Sequence, residues 1–200
     1  MKIVGVTGRI GSGKTSLCRI LAAQHGVPII DADALGHEAL RDPAIRGRVV
    51  GRFGAGILDA GAEIDRDRLG AIVFNDPAAL RDLESIVHPW IVEKIVSKVD
   101  RLRARGGADI VLIDAALLLS WKDRLPVDRI VWVQISEEAA VERLRLRGIP
   151  QDEATRRLSR QIPDEEFRKL ADVVVANGGC LDDLRRSAEG LWETLRGLSR

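Results

Sequence analysis

One octapeptide constrains this chain more than any other feature. Gly8-Arg9-Ile10-Gly11-Ser12-Gly13-Lys14-Thr15 matches G-x-x-x-x-G-K-[ST] and stands between an apolar, β-branched segment, Lys2–Val6, and a segment of helical spacing, Ser16–Gln24. Strand, glycine-rich turn and helix in that order make a phosphate-binding loop. The glycines let successive N–H groups turn inward around an anion, and the helix adds the positive end of its dipole. The expected nucleotide contacts are the loop amides of Gly11, Ser12, Gly13, Lys14, Thr15 and Ser16. Lys14 meets the β and γ oxygens and Thr15 ligates Mg²⁺. A chance match in a chain of this length is expected on the order of once in a hundred sequences. The motif points to ATP or another nucleoside triphosphate with magnesium; it does not name the acceptor.

The rest of the chain repeats the strand-then-helix alternation. Candidate strands are Lys2–Val6, Val27–Ile30, Ile110–Ile113, Arg129–Ile135 and Val173–Val175. Nearly all-apolar strands separated by helical patterns predict an α/β fold with a mainly parallel sheet and helices on both faces. Between the second and third strands lies Ala32–Asp109, far more than the dozen or so residues a crossover needs. It reads as helices over Leu35–Arg41, Ala44–Phe53, Arg68–Phe74, Pro77–Val87 and Pro89–Arg105, with a loop or short hairpin over Gly51–Gly61. Such an insertion either carries substrate recognition or thickens one side of the sheet. At the C-terminus Leu181, Leu184, Ala188, Leu191, Leu195 and Leu198 form an apolar stripe, expected to pack on the sheet rather than to form a coiled-coil seam.

Composition excludes several classes. A chain of 200 residues with 46% hydrophobic side chains can bury one core, and its formal net charge of +1 provides no broad basic face. With 4% aromatics as well, nucleic-acid binding is not expected. No apolar stretch approaches the ~18–20 residues of a membrane span. Guanine-reading N-K-x-D is absent, although Asp33-Ala34-Leu35-Gly36 satisfies the short D-x-x-G. Cys18 and Cys180 are isolated, and Met1-Lys2 runs straight into strand-like sequence. The expectation is therefore a reduced, cytoplasmic protein, monomeric or weakly oligomeric.

Three carboxylates are candidates for the chemistry. Asp31 and Asp33 follow the second strand, at the sheet edge where the phosphate loop lies, and share a face if the strand continues. Asp33 is the candidate base for a hydroxyl acceptor, or the N-cap of the next helix. Asp114 follows Ile110–Ile113, where a magnesium-binding carboxylate stands in many phosphate-loop enzymes, or is a solvated strand end. Magnesium thus has Thr15, Asp31 and Asp114 as expected ligands, with Asp33 an alternative among the carboxylates.

Beyond the loop, the chain is similar to the dephospho-coenzyme A kinases over nearly its whole length. The matching pieces are Gly5–Thr15; Asp31-Ala32-Asp33 with His37-Glu38; Phe53-Gly54; Arg66, Leu69 and Ile72-Val73-Phe74; Leu83-Glu84 and His88-Pro89; Arg143 and Arg147; Arg157 and Gln161; and Ala171-Asp172-Val173-Val174 with Asn177-Gly178. The resemblance implies a P-loop kinase that uses ATP to phosphorylate the ribose 3′-hydroxyl of dephospho-coenzyme A. It implies a core of 1–31, 110–142 and 171–200, a helical substrate region 32–109 and a lid 143–170. The lid stretch carries eight basic against five acidic residues, and the resemblance implies Arg143, then Arg147, at the transferring phosphoryl group. His88 becomes a substrate contact, and Asn177-Gly178 an adenine-side contact or a simple turn. The family's Pro-Leu-Leu-aromatic-Glu is replaced by Ala116-Leu117-Leu118-Leu119-Ser120, without the Pro and the Glu. That departure keeps two alternatives open: another small-molecule or nucleoside kinase, and a nucleotide-binding regulator without turnover.

Overall fold

The computed structural model describes residues 1–197, the side chain of Lys122 excepted. Strands β1 (Lys2–Thr7), β2 (Ile29–Asp31), β3 (Ile110–Asp114), β4 (Arg129–Gln134) and β5 (Val173–Ala176) form one sheet in the order β2-β3-β1-β4-β5. Every pairing is parallel. The predicted strands are all present, each shifted by one or two residues at an end. Because all strands run the same way, their carboxyl ends collect on one edge, which is where open α/β sheets bind ligands.

Helix α1 (Lys14–His25) follows the phosphate loop and α10 (Leu181–Gly197) closes the described chain. Leu17, Cys18 and Leu21 of α1 and Leu184, Ala188, Leu191 and Leu195 of α10 are buried with Val4, Val6, Leu112, Val131 and Val133 of the sheet. The terminal stripe therefore packs on the sheet, as its spacing predicts. Leu181 departs from it, being 53% exposed, and Leu198 lies outside the described residues.

The chain divides into two compact units, Ala32–Ser97 and the remainder, so the helical unit ends inside a helix and not at Asp109. The Ala32–Ser97 unit contains α2 (Ala32–Ala39), α3 (Pro43–Phe53), a 3₁₀ turn (Ala55–Ile57), α4 (Arg66–Val73) and most of α5 (Pro77–Arg105). The Gly51–Gly61 stretch is thus the end of α3, the 3₁₀ turn and the start of a connection with a single antiparallel bridge, Leu58 to Ile64. Asp42 caps α3 by accepting from the Ala44 and Ile45 amides, and its other oxygen accepts from Trp90 Nε1 at 3.1 Å. These bonds hold its carboxyl below the usual carboxylate range.

The sequence predicts two helices separated at His88-Pro89, but α5 is continuous through Pro89. A proline in a helix interior costs about 3 kcal/mol. Ile86, Val87, Ile91 and Ile95 on either side of it are buried, and at about 1.5–3 kcal/mol each their burial outweighs that cost.

In the other unit, a short helix α6 (Leu118–Trp121) follows β3 and a 3₁₀ turn (Lys122–Arg124) follows it. Then come α7 (Glu137–Arg145), α8 (Gln151–Ser159) and α9 (Asp164–Leu170), the helices of the expected lid. Ala140 and Leu144 of α7 are buried with Ala154 and Leu158 of α8.

Candidate active site

The loop after β1 bends at glycines that no other residue could replace without strain. Gly13 has φ +90°, and a Cβ there would overlap the Asn177 side-chain nitrogen. As N-cap of α1, Gly13 has no side chain to offer the helix, and no acidic residue stands in the first turn. By contrast α3, α4 and α7 are capped by Asp42, Asp65 and Ser136. The first amides of α1 are therefore left for an external anion, and the helix dipole favours it.

Asn177, just past β5, is only 4% exposed. Its Nδ2 donates to the Ser12 carbonyl at 2.6 Å. Arg143, expected from the family resemblance at the transferring phosphoryl group, has its guanidinium on main-chain oxygens of the same two loops. It donates to Gly11 O (3.3 Å) and Ser12 O (3.4 Å) of the phosphate loop. It also donates to Asn177 O (2.9 Å), Asn177 Oδ1 (3.3 Å) and Gly179 O (3.2 Å) beyond β5. Burial, and then the charge of Arg147, pull its pKa below the ordinary value. A cleft opens here, lined by Gly11, Gly13, Ser16, Arg143, Arg147 and Asn177 and also by Gly179, Cys180, Leu181 and Leu184. Gly178 is not among the lining residues. The last four are missed by sequence reasoning. The available signal is their position, immediately past the carboxyl end of a parallel strand, on the edge where the phosphate loop also lies.

On the other side of β1, Asp114 is 4% exposed at the end of β3. The register sets Asp31 beside it on β2 and Val6 beside it on β1. Cys18, one helical turn after Lys14, reports this arrangement. Its thiol pKa is raised well above the ordinary value by burial first, then by the negative charge of Asp114; Lys14 lowers it and Asp31 raises it. One buried point thus feels the cation and both carboxylates. Asp33 does not continue the strand: α2 begins at Ala32 and places Asp33, exposed, in its first turn. The face shared by residues two apart in a strand does not extend to this pair. Asp33 and the half-buried His88 of α5 belong to the Ala32–Ser97 unit.

The segment without the family's Pro and Glu still packs tightly. The Ala116 carbonyl accepts from Thr7 Oγ1 at 3.4 Å, and Leu118 lies so close to Gly5 that a Cβ there would overlap it. Ser120 is exposed.

An uncapped helix behind a glycine loop, a lysine in its first turn and paired carboxylates at a parallel sheet edge define a P-loop phosphotransferase. Comparison with known proteins narrows this. The family model described as dephospho-CoA kinase matches residues 2–183. A dephospho-CoA kinase of Frankia casuarinae is 39% identical over 197 residues, 98% of this chain and 84% of its own. One of Carboxydothermus hydrogenoformans is 40% identical over 188 residues, 92% of this chain and 90% of its own. Among solved structures, a Thermus thermophilus protein has a TM-score of 0.79 at 32% identity, covering 97% of each chain. The dephospho-CoA kinase from Campylobacter jejuni has a TM-score of 0.64 at 26% identity, covering 96% of each. The chain belongs to the dephospho-CoA kinase family.

Proposed function

We infer that this protein transfers the terminal phosphoryl group of ATP to dephospho-CoA, giving CoA and ADP, the closing step of CoA synthesis. The family match across residues 2–183 carries the acceptor. The uncapped, acid-free start of α1 carries the nucleotide. The acceptor atom is the ribose 3′-hydroxyl.

Roles follow from chemistry at each position. The amides from Gly11 to Ser16 and the Lys14 ammonium bind the phosphates and neutralise charge as it develops. Asp33 takes the proton of the attacking hydroxyl, and His88, in the same helical unit, helps hold the acceptor. Arg143 works from the loop side, keeping the Gly11 and Ser12 carbonyls turned away from the phosphates. The exposed Arg147, which also lines the cleft, brings its charge to them. Asn177 and the Gly178-Gly179 turn border the nucleotide base.

Magnesium fits the residues present. Thr15 offers a hydroxyl and Asp31 and Asp114 offer carboxylates, all hard oxygen donors. No group of three His, Cys, Asp or Glu is assembled among the described residues, as suits an ion held by one or two carboxylates and by the phosphates themselves. When bound, the ion shields phosphate charge. Among the described residues no helix is long and apolar enough to cross a membrane. Two unpaired cysteines support a reducing cytoplasm, and an apolar α10 stripe already covered by the sheet supports a monomer or weak oligomer.

The decisive experiment measures ADP release with ATP and a panel of hydroxyl acceptors. Release that depends on dephospho-CoA is expected. Dependence on a different acceptor would reassign the substrate, and no acceptor-dependent release would make the protein a nucleotide-binding regulator.

A further inference from the structure

We propose that Arg9 and Gln161 are positioning residues that lock the entrance of the phosphate loop to the lid helices, and that this junction sets the affinity for ATP. The proposal rests on the kinase reading only in naming ATP as the nucleotide.

Two hydrogen bonds cross the junction in opposite directions. Arg9 Nη2 donates to the Leu158 carbonyl of α8 at 3.0 Å. Gln161 Oε1, just past α8, accepts from the Ile10 amide at 2.8 Å. A side chain of the loop holds the backbone of the lid, and a side chain of the lid holds the backbone of the loop. The Arg9 side chain is 14% exposed, with Glu137 at 3.7 Å and Asp164 at 3.9 Å. Those acids start α7 and α9, so three helices converge on one loop residue. Ile10 packs against the apolar cluster of Ala140, Leu144, Ala154 and Leu158.

Both bonds occupy groups that then cannot serve the nucleotide directly: the Ile10 N–H is engaged by Gln161 and the Arg9 guanidinium faces the lid. Their effect has to pass through the loop. That loop has positive φ at Gly8, Gly11 and Gly13, so its untethered backbone has many alternatives and ordering it is entropically unfavourable. A junction that fixes residues 9 and 10 orders the loop before ATP arrives, and preorganisation of this kind appears as affinity.

The test is titration calorimetry with ATP and Mg²⁺ and no acceptor, beside steady-state kinetics with dephospho-CoA, on Arg9→Ala, Gln161→Leu and the double variant. Each single change is expected to raise the Kd for ATP about 5- to 10-fold, the effect of one hydrogen bond. The double variant should show no more than about that same factor, because either cut opens the junction. The KM for dephospho-CoA should stay within about twofold, and Gln161→Glu, which keeps an acceptor oxygen, should recover most of the affinity. An unchanged Kd in both single variants overturns the proposal, even if their melting temperatures fall. Factors that multiply in the double variant overturn it too. If Arg9→Ala does not fold, the Gln161→Leu and Gln161→Glu pair decides alone. A wild-type chain that binds ATP yet leaves dephospho-CoA untouched would overturn the functional reading and still leave the junction to be judged by the ATP Kd.

Discussion

Asp31 and Asp114 stand side by side at the carboxyl ends of β2 and β3, in register across a parallel ladder. Adjacent strands in register present matching residues to the same face, so two carboxylates share one edge of the sheet, and one of them is almost wholly buried. Under the proposed function this pair, with Thr15, would hold magnesium.

Asp114→Asn tests the proposed magnesium role. It should raise the Mg²⁺ concentration for half-maximal activity by about tenfold or more. A magnesium titration of activity checks this, with a thermal melt as the control for folding.

Asp33→Asn should lower kcat by roughly 10²- to 10⁴-fold, the contribution of a positioned base. ATP binding should persist, because Asp33 lies in α2 and outside the phosphate loop. Unaltered turnover would remove the base role, and calorimetric ATP titration supplies the control.

Asn177→Ala leaves the Ser12 carbonyl without its 2.6 Å donor and takes the Oδ1 acceptor from Arg143. Arg143 still reaches the Ser12 carbonyl at 3.4 Å, so the loss is about that of one hydrogen bond, roughly 0.5–1.5 kcal/mol. The Kd for ATP should rise along with a loss of stability, which ATP titration calorimetry and a thermal melt check.

The two thiols should react very differently. Cys18 is buried, its pKa pushed up, so it stays protonated and shielded. Cys180 is exposed and lines the cleft. One thiol should react promptly with a disulfide reagent in native protein, ATP should protect it, and the second should appear only after unfolding.

Glu84 predicts a pH dependence of stability. Burial raises its pKa above the ordinary 4.5, against the pull of Arg81. The folded pKa exceeds the unfolded one, so its stabilising contribution is full below 4.5 and is lost as pH rises through the folded value. Glu84→Gln should therefore raise the melting temperature at pH 7, and the gain should vanish in melts below the unfolded value.

The sequence alone settled the fold class and the phosphate loop. Both rest on local patterns: apolar strands in alternation with helices, and glycines placed where the backbone must turn around an anion. It also located Lys14, Thr15, Asp31 and Asp114, since each adjoins a strand end or a helix start that periodicity reveals. It divided α5 at Pro89 because local rules weigh the missing amide and not the isoleucines packed on either side. Tertiary structure alone decided which distant groups meet. Arg143 and Ser12 are joined across 131 positions of chain, and Gln161 and Ile10 across 151. Such contacts depend on strand order and helix packing, and no nearby residue encodes them. The order β2-β3-β1-β4-β5 brings the loop after β5 to the phosphate loop after β1, and turns an asparagine in an ordinary-looking turn into part of the cleft beside that loop.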